Sequence, residues 1–133
     1  MILGVGTDLC SVDRIAGAIE RRGQSFLDRV YTQGEQQYAS RHRHRHAHYA
    51  ALFAAKEACL KALMTGVTER VRWTDIEIVD EAAAQPRLDL SAGARRRLRR
   101  LVGRGNADRL HLSMTTRGDW AIATVIIERA SGE

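Results

Sequence analysis

The first half of the chain combines one short strand pattern with a series of helical patterns. The run from Ile2 to Asp8 predicts a short buried strand that ends in an acidic residue. Ser11 is a typical N-cap residue, and Thr32-x-x-Glu35 is a capping-box pattern. Helices are therefore predicted over residues 12–22, 26–31, 32–40 and 46–64. The last is the longest, is rich in Ala and Leu, and stops at Thr65-Gly66.

Strand patterns dominate the second half. Strands are predicted over residues 73–79, 86–90, 110–114 and 120–128, with a loop at 80–85 and a turn at 117–119. One Arg-rich helix, capped by Ser91, interrupts them and runs to about Val102. The order of the elements predicts an α+β fold, a mostly antiparallel sheet packed against the long helix, as one domain over residues 1–133.

Composition narrows the class of protein. The chain has 133 residues, of which 44% are hydrophobic and 28% charged, which is typical of a globular domain. No apolar stretch approaches the roughly 18 residues that a membrane span needs, and no basic segment precedes the apolar N-terminus. Cys10 and Cys59 lack the spacing of a zinc or disulfide framework. We therefore expect a cytoplasmic protein without a membrane partner.

The net charge of +5 comes from one basic segment. Without its six arginines the net charge would be −1; they are Arg95, Arg96, Arg97, Arg99, Arg100 and Arg104. Such a segment is compatible with a solvated helix face, a surface for an acidic partner, or a nucleic-acid site. Nucleic acid is the least favoured, because the seven Phe, Trp and Tyr residues fall mostly in apolar patterns and form no stacking platform.

Lysine is rare in this chain, and its placement is informative. Lys56 and Lys61 are the two lysines among 21 basic residues, and they flank Glu57 in the long helix. Lysine is a compact point charge that can approach a phosphate closely, whereas arginine is a broad planar fork. We interpret the two lysines as a pointer to the chemistry.

Asp8, Glu57 and Lys61 are the candidate site residues. Asp8 could cap the following helix, and Glu57 with Lys61, four positions apart, could be an ordinary exposed ion pair. Alternatively, the two carboxylates could hold a Mg²⁺ ion that takes its remaining ligands from water and substrate phosphates. Lys61 would then stand one helical turn away, near the same phosphates.

A second cluster alternates arginine and histidine over residues 41–48. The spacing of its four histidines suits one face of a strand, but the surroundings predict a loop that leads into a helix. A solvated loop is the favoured interpretation, followed by an anion-binding patch. A metal site is the least favoured, since the three arginines would repel a cation.

Several motifs along the chain match one family. They are Gly4-Val5-Gly6-Thr7-Asp8-Leu9, Asp13-Arg14-Ile15, Phe53-Ala54-Ala55-Lys56-Glu57-Ala58 with Lys61-Ala62, Thr65-Gly66, Trp73-Thr74-Asp75-Ile76-Glu77-Ile78, Pro86-Arg87-Leu88, His111-Leu112-Ser113-Met114-Thr115 and Trp120-Ala121-Ile122-Ala123. In these motifs the chain resembles the holo-acyl-carrier-protein synthases, the short single-domain class of 4′-phosphopantetheinyl transferases.

The resemblance implies the transfer of phosphopantetheine from coenzyme A to a serine of an acyl carrier protein, with release of 3′,5′-ADP. It assigns Asp8 and Glu57 as Mg²⁺ ligands, and Glu57 would take the serine proton directly or through a metal-bound water. It assigns Lys61 both to catalysis and to the coenzyme phosphates. The other residues that it implies for coenzyme binding are Gly66, Ser113 and Thr115.

The resemblance also implies partners. Arg14 would dock the acidic carrier protein, and the enzyme would be a homotrimer whose active sites lie between subunits. Whether such an enzyme serves fatty-acid or polyketide synthesis is left open.

Three positions depart from the usual family pattern. Leu52 replaces an arginine, Met64 replaces a glycine, and Thr116 replaces a histidine. Because an arginine and a histidine are potential phosphate donors, weaker binding of coenzyme A is expected, and restoring both is expected to tighten it. An alternative function therefore remains at this point, a paralogue of the same fold that acts on carrier-bound intermediates.

Overall fold

The computed structural model describes residues 1–68, 70–80 and 84–130. It contains β1 (Ile2–Ser11), α1 (Val12–Arg22), α2 (Gln24–Val30), α3 (Gln33–Ser40), α4 (Arg45–Ala62), a 3₁₀ turn (Trp73–Asp75), β2 (Ile76–Val79), β3 (Arg87–Leu90), α5 (Ala92–Val102), β4 (Asp108–Arg117) and β5 (Trp120–Arg129). The architecture is α+β, as predicted. Residues 81–83 of the predicted loop at 80–85 lie outside the described residues.

All strand pairs are antiparallel. β1, β5 and β4 form a three-stranded sheet in that order, and β2 pairs with β3 in a separate two-stranded sheet. In the larger sheet Asp8 pairs with Ala123, which in turn pairs with Met114. Alternate residues of β5, beginning with Ala121 and Ala123, are buried beneath α4. This inner face of the sheet and α4 enclose the core.

Two glycines allow β1 to lie directly against α4. A Cβ atom on Gly4 would lie 2.0 Å from the Ala62 carbonyl oxygen, and one on Gly6 would lie 1.9 Å from that of Ala58. No side chain can occupy such a space. The Gly-x-Gly sequence therefore fixes the distance between the strand that carries Asp8 and the helix that carries Glu57.

The structure corrects several sequence predictions. β1 continues past Asp8 to Ser11, so Asp8 lies within the strand and not at its end. β1 is buried on one face only, since Val5 and Leu9 are exposed. The segment 73–75 is a 3₁₀ turn, so the strand predicted from Trp73 begins at Ile76. Ser91 stands at the N-cap position of α5 but makes no side-chain capping bond.

Helix ends agree well with the capping signals. The Ser11 hydroxyl accepts a hydrogen bond from the Arg14 N–H, and Thr32 and Glu35 form both bonds of the predicted capping box. The long helix α4 is buried nearly all round. It is thus the central element of the core, because the three-stranded sheet and the neighbouring helices pack against it.

Lys56 forms a fully buried ion pair with Glu35. The Lys56 Nζ and Glu35 Oε1 atoms are 2.7 Å apart, and neither side chain is exposed. Nζ also donates to the carbonyls of Trp73 and Ile76, while Glu35 Oε2 accepts from the Ile78 N–H. Burial lowers the pKa of Lys56, and Glu35 opposes that shift. Lys56 is therefore a structural link between α3, α4 and β2, and its interpretation as a pointer to the chemistry is wrong.

We expect Lys56→Met to destabilise the fold by about 3–5 kcal/mol, because Glu35 would be left as an unpaired buried charge. The double change Lys56→Met with Glu35→Gln should lose less, since that charge is removed as well. Urea unfolding of both variants measures the difference. Equal losses in the single and double variants would contradict the ion-pair assignment.

The arginines of α5 divide into two groups. Arg95 Nε donates to the Leu90 carbonyl, and Arg97 Nε donates to the Leu63 carbonyl at the end of α4, whereas Arg96, Arg99 and Arg100 are exposed. Part of the basic segment is thus structural. In the described part of the chain, no helix has both the length and the apolar character needed to cross a bilayer.

Candidate active site

A cleft of about 640 Å³ opens between β1, α1, α2 and α4. Asp8 reaches it from β1, and Glu57 reaches it from α4. The two carboxylates are 49 positions apart in sequence, but the close packing at Gly6 brings their backbones together. The structure therefore brings the two predicted metal ligands into one cavity.

Lys61 lies beside Asp8. Its Nζ atom is 3.1 Å from Asp8 Oδ1 and 2.9 Å from the Thr7 carbonyl oxygen. The Lys61 side chain is 53% exposed and that of Asp8 is 18% exposed, so the cation lies on the solvent side of Asp8 and does not itself line the cleft. An exposed lysine on a flexible stem can leave this carboxylate and follow an incoming phosphate.

The pKa of Glu57 is raised by burial first and by the Asp8 charge second, while Lys61 opposes the shift. The shift indicates that two like charges share a poorly hydrated space, which a bound cation would relieve.

The donor set fits a magnesium ion that shares its ligands with a substrate. Among residues 1–68, 70–80 and 84–130, no group of three or more His, Cys, Asp or Glu side chains could hold a metal ion. Asp8 and Glu57 alone would supply carboxylate oxygens, and water or phosphate oxygens would complete the set. Mg²⁺ commonly binds in this way, through one or two carboxylates plus substrate phosphates.

The rest of the cleft wall is basic and aromatic. Its arginines come from α1 and α2, and they are Arg14, Arg21, Arg22 and Arg29. The rings of Phe53 and Trp73 lie 5.1 Å apart, and both line the cleft. A site with carboxylates, a lysine and a basic rim is suited to an anionic, phosphate-bearing substrate and to an acidic macromolecule.

Sequence reasoning missed Arg29 and the aromatic wall. Phe26 and Arg29 are three positions apart on α2, so they share one helix face, and both line the cleft. That spacing was available in the sequence. The Phe53–Trp73 contact joins residues 20 positions apart, and no local pattern indicated it.

Cys10 also lines the cleft but does not act as a nucleophile. Burial raises the pKa of its thiol to about 11, and the Asp8 charge adds to the shift. The thiol is therefore protonated at neutral pH, whereas the thiolate is the reactive form of cysteine.

Gly66, Ser113 and Thr115 do not line this cleft. Gly66 lies in the exposed segment that follows α4. Ser113 and Thr115 are exposed residues of β4 that alternate with the half-buried Leu112 and Met114, so they face away from α4. Within one chain, Ser113 and Thr115 and the two carboxylates are on opposite faces of the sheet.

The departures from the family pattern have different structural settings. Leu52 is 1% exposed and belongs to the core, so an arginine at this position would bury a charge; the expected gain in coenzyme affinity from Leu52→Arg has no structural basis. Met64 has a φ of 56°, in the left-handed region that favours glycine. Thr116 is exposed near the end of β4.

The histidines of the 41–48 segment do not act as one group. His44 and His46 are exposed, but His48 is buried in the first turn of α4. The His48 ring stacks on the His42 ring, with 4.6 Å between the ring centroids. Burial lowers the pKa of His48 to about 4, so it is neutral at physiological pH. The favoured interpretation as a solvated loop is wrong for His48.

Comparisons with known proteins identify the family of this chain. A family profile described as the 4′-phosphopantetheinyl transferase superfamily matches residues 4–125. The chain is 48% identical over 128 residues to the holo-[acyl-carrier-protein] synthase of Methylorubrum populi, covering 96% of this chain and 94% of that protein.

Solved structures give the same result. A holo-[acyl-carrier-protein] synthase from Neisseria meningitidis superposes with a TM-score of 0.84 at 32% identity, covering 96% of this chain and 99% of that chain. One from Bacillus anthracis, in complex with CoA (3′,5′-ADP), superposes with a TM-score of 0.76 at 28% identity, covering 98% and 99%. This chain therefore belongs to the 4′-phosphopantetheinyl transferase superfamily.

Proposed function

We propose that this protein transfers 4′-phosphopantetheine from coenzyme A to a serine of an acyl carrier protein and releases 3′,5′-ADP. The observation that carries the proposal is that Asp8 and Glu57 meet in one cleft with a basic rim, with Lys61 paired to Asp8. The relatives named holo-[acyl-carrier-protein] synthase support the same reaction. They do not favour the alternative of a paralogue with redirected activity. The direct test is the mass gained by an apo carrier protein on incubation with coenzyme A.

The residues of the cleft have distinct tasks in this reaction. The serine hydroxyl attacks the phosphorus next to the pantetheine, the bond from that phosphorus to the 3′,5′-ADP oxygen breaks, and Glu57 accepts the serine proton. Lys61 moves from Asp8 to the negative charge that grows on the leaving phosphate. Asp8 and Glu57 would hold a Mg²⁺ ion, which supplies charge neutralisation at the pyrophosphate.

The carrier protein binds along α1 in this proposal. Arg14, Arg21 and Arg22 form a basic rim beside the carboxylates, and a carrier protein is expected to be acidic around its serine. The opposite charges would steer the encounter and align the serine with the cleft. Arg29, on α2, extends the rim.

Reversing the charge at Arg14 tests this docking surface. We expect Arg14→Glu to weaken carrier binding about tenfold and to reduce its salt dependence. Coenzyme A binding should stay unchanged. Calorimetric titrations with each substrate at two salt concentrations measure both effects. A loss of coenzyme binding instead would show that α1 serves the nucleotide and not the carrier.

The active site is completed by a second copy of the chain in this proposal. The face of the three-stranded sheet that points away from α4, called the outer face, exposes apolar residues; Leu9 is 55% and Ile122 is 42% exposed. Ser113 and Thr115 lie on the same outer face. Packing of this face against a neighbouring subunit would bury the apolar side chains. It would also let Ser113 and Thr115 reach the neighbour's coenzyme, in a trimer with closed symmetry.

Ile122→Asp tests the assembly. The unaltered protein should have the mass of a trimer by light scattering, and Ile122→Asp should have that of a monomer, because a charge cannot be buried in the interface. Transfer should be lost with the trimer although Asp8 and Glu57 are intact. A fully active monomer would contradict the shared site.

We further propose that residues 1–133 act as one catalytic domain, since its buried apolar residues form one core cluster within the described residues. The expected cytoplasmic location stays a prediction. A role in fatty-acid or polyketide synthesis stays a prediction as well.

A further inference from the structure

The turn between β4 and β5 holds the start of α1. Asp119 lies in this turn, and its carboxylate accepts two hydrogen bonds from the first residues of the helix region. The Ser11 hydroxyl donates to Asp119 Oδ2 at 2.8 Å, and the Asp13 N–H donates to Oδ1 at 2.9 Å. The Val12 N–H donates to the Asp119 backbone oxygen at 2.8 Å. Residues more than 100 positions apart are thus joined by three bonds.

These bonds continue to the basic rim. The Ser11 oxygen that donates to Asp119 also accepts from the Arg14 N–H at 3.2 Å. The carboxylate therefore fixes the rotamer of the N-cap residue, and that residue fixes the backbone of Arg14. The negative charge also lies at the positive end of the α1 dipole, where it is stabilising.

The apolar face of α1 holds the helix against the core. Ile15 is buried, and Val12, Ala18 and Ile19 are partly buried against the core, while Asp13 and Arg14 are exposed. Apolar packing is non-directional, so it resists separation of the helix from the sheet more than it resists rotation at that contact. The bonds to Asp119 supply a second fixed point at the end of the helix nearest to Asp8.

We infer that Asp119 is a positioning residue that sets the orientation of α1, and with it the carrier-binding position of Arg14 relative to Asp8 and Glu57. The inference rests on the proposed function. Asp119 does not line the cleft and contacts no reacting atom. Its effect should therefore fall on the carrier protein and not on coenzyme A.

Asp119→Ala tests the inference through the two substrates separately. We expect the KM for the carrier protein to rise about five- to twentyfold while the KM for coenzyme A stays within about twofold. Ser11→Ala removes the shared link and should act in the same direction. Asp119→Asn keeps one acceptor oxygen for the Asp13 N–H, so it should recover part of the loss. Asn106→Ala removes a side-chain bond at the far end of α5 and should leave both KM values unchanged.

Binding of the carrier protein without coenzyme A distinguishes the two proposals. One outcome is that the carrier Kd rises in Asp119→Ala while the unaltered protein transfers no phosphopantetheine. That outcome would overturn the proposed function but support the positioning role. A carrier Kd and KM equal to those of the unaltered chain would overturn the positioning role. An equal rise of both KM values, unrelieved in Asp119→Asn, would also overturn it, because that result indicates a general loss of structure.

Discussion

Glu57→Gln is expected to reduce phosphopantetheine transfer by about 10³-fold or more, because it removes a general base and a metal ligand together. The amide nearly matches the carboxylate in shape, so the fold should remain intact. The raised pKa of Glu57 indicates that its charge is costly in the cleft, so the variant should be at least as stable as the unaltered chain. Asp8→Asn should also lose most activity, through the metal site alone.

Single-turnover transfer and thermal unfolding, measured on the same samples, separate chemistry from stability. Asp89→Asn is a suitable control, because Asp89 is an exposed carboxylate of β3 outside the cleft. It should retain full activity. A Glu57→Gln protein that keeps more than about a tenth of the rate would remove Glu57 from the catalytic role.

Gly6→Ala is expected to have the largest effect on stability. Its new Cβ would lie 1.9 Å from the Ala58 oxygen and 2.8 Å from the Ala62 nitrogen, and both are backbone atoms of α4 that cannot rotate away. Overpacking of this kind commonly costs about 1–3 kcal/mol, and a clash with two backbone atoms of α4 should reach about 3 kcal/mol or more. Separation of β1 from α4 would also displace Asp8 relative to Glu57.

The free energy of unfolding in urea measures this cost. Gly66→Ala is the matched control, because a Cβ at Gly66 meets no atom within 4 Å, and its stability should change by less than about 0.5 kcal/mol. A Gly6→Ala protein as stable as that control would contradict the close packing that builds the cleft.

Local signals predicted the helices well but not the exposure of β1. Ser11 and the Thr32–Glu35 box act through hydrogen bonds within a few residues, so the sequence is sufficient to recognise them. The buried face of β1 is occupied by Gly4 and Gly6, which have no side chains, and the exposed face carries Val5 and Leu9. The apolar pattern of β1 therefore predicted burial for residues that lie on the exposed outer face.

At the site, too, the sequence pattern alone could not assign different roles to the two lysines. Lys56 and Lys61 share one helix, and propensity or charge could not distinguish them. Lys56 pairs with Glu35, 21 positions earlier, inside the core, whereas Lys61 pairs with Asp8 at the cleft. The family resemblance supplied the roles of Asp8, Glu57 and Lys61, and the fold brings them together. Asp119 acts across more than 100 positions, and no spacing in the sequence indicated it.

The mass of an apo acyl carrier protein after incubation with this protein, coenzyme A and Mg²⁺ is the direct test of phosphopantetheine transfer. We expect that the carrier gains one phosphopantetheine on its serine, that 3′,5′-ADP is released in equal amount, and that neither occurs with Glu57→Gln. A carrier protein of unchanged mass, in the presence of an intact and folded enzyme that binds both substrates, would contradict it.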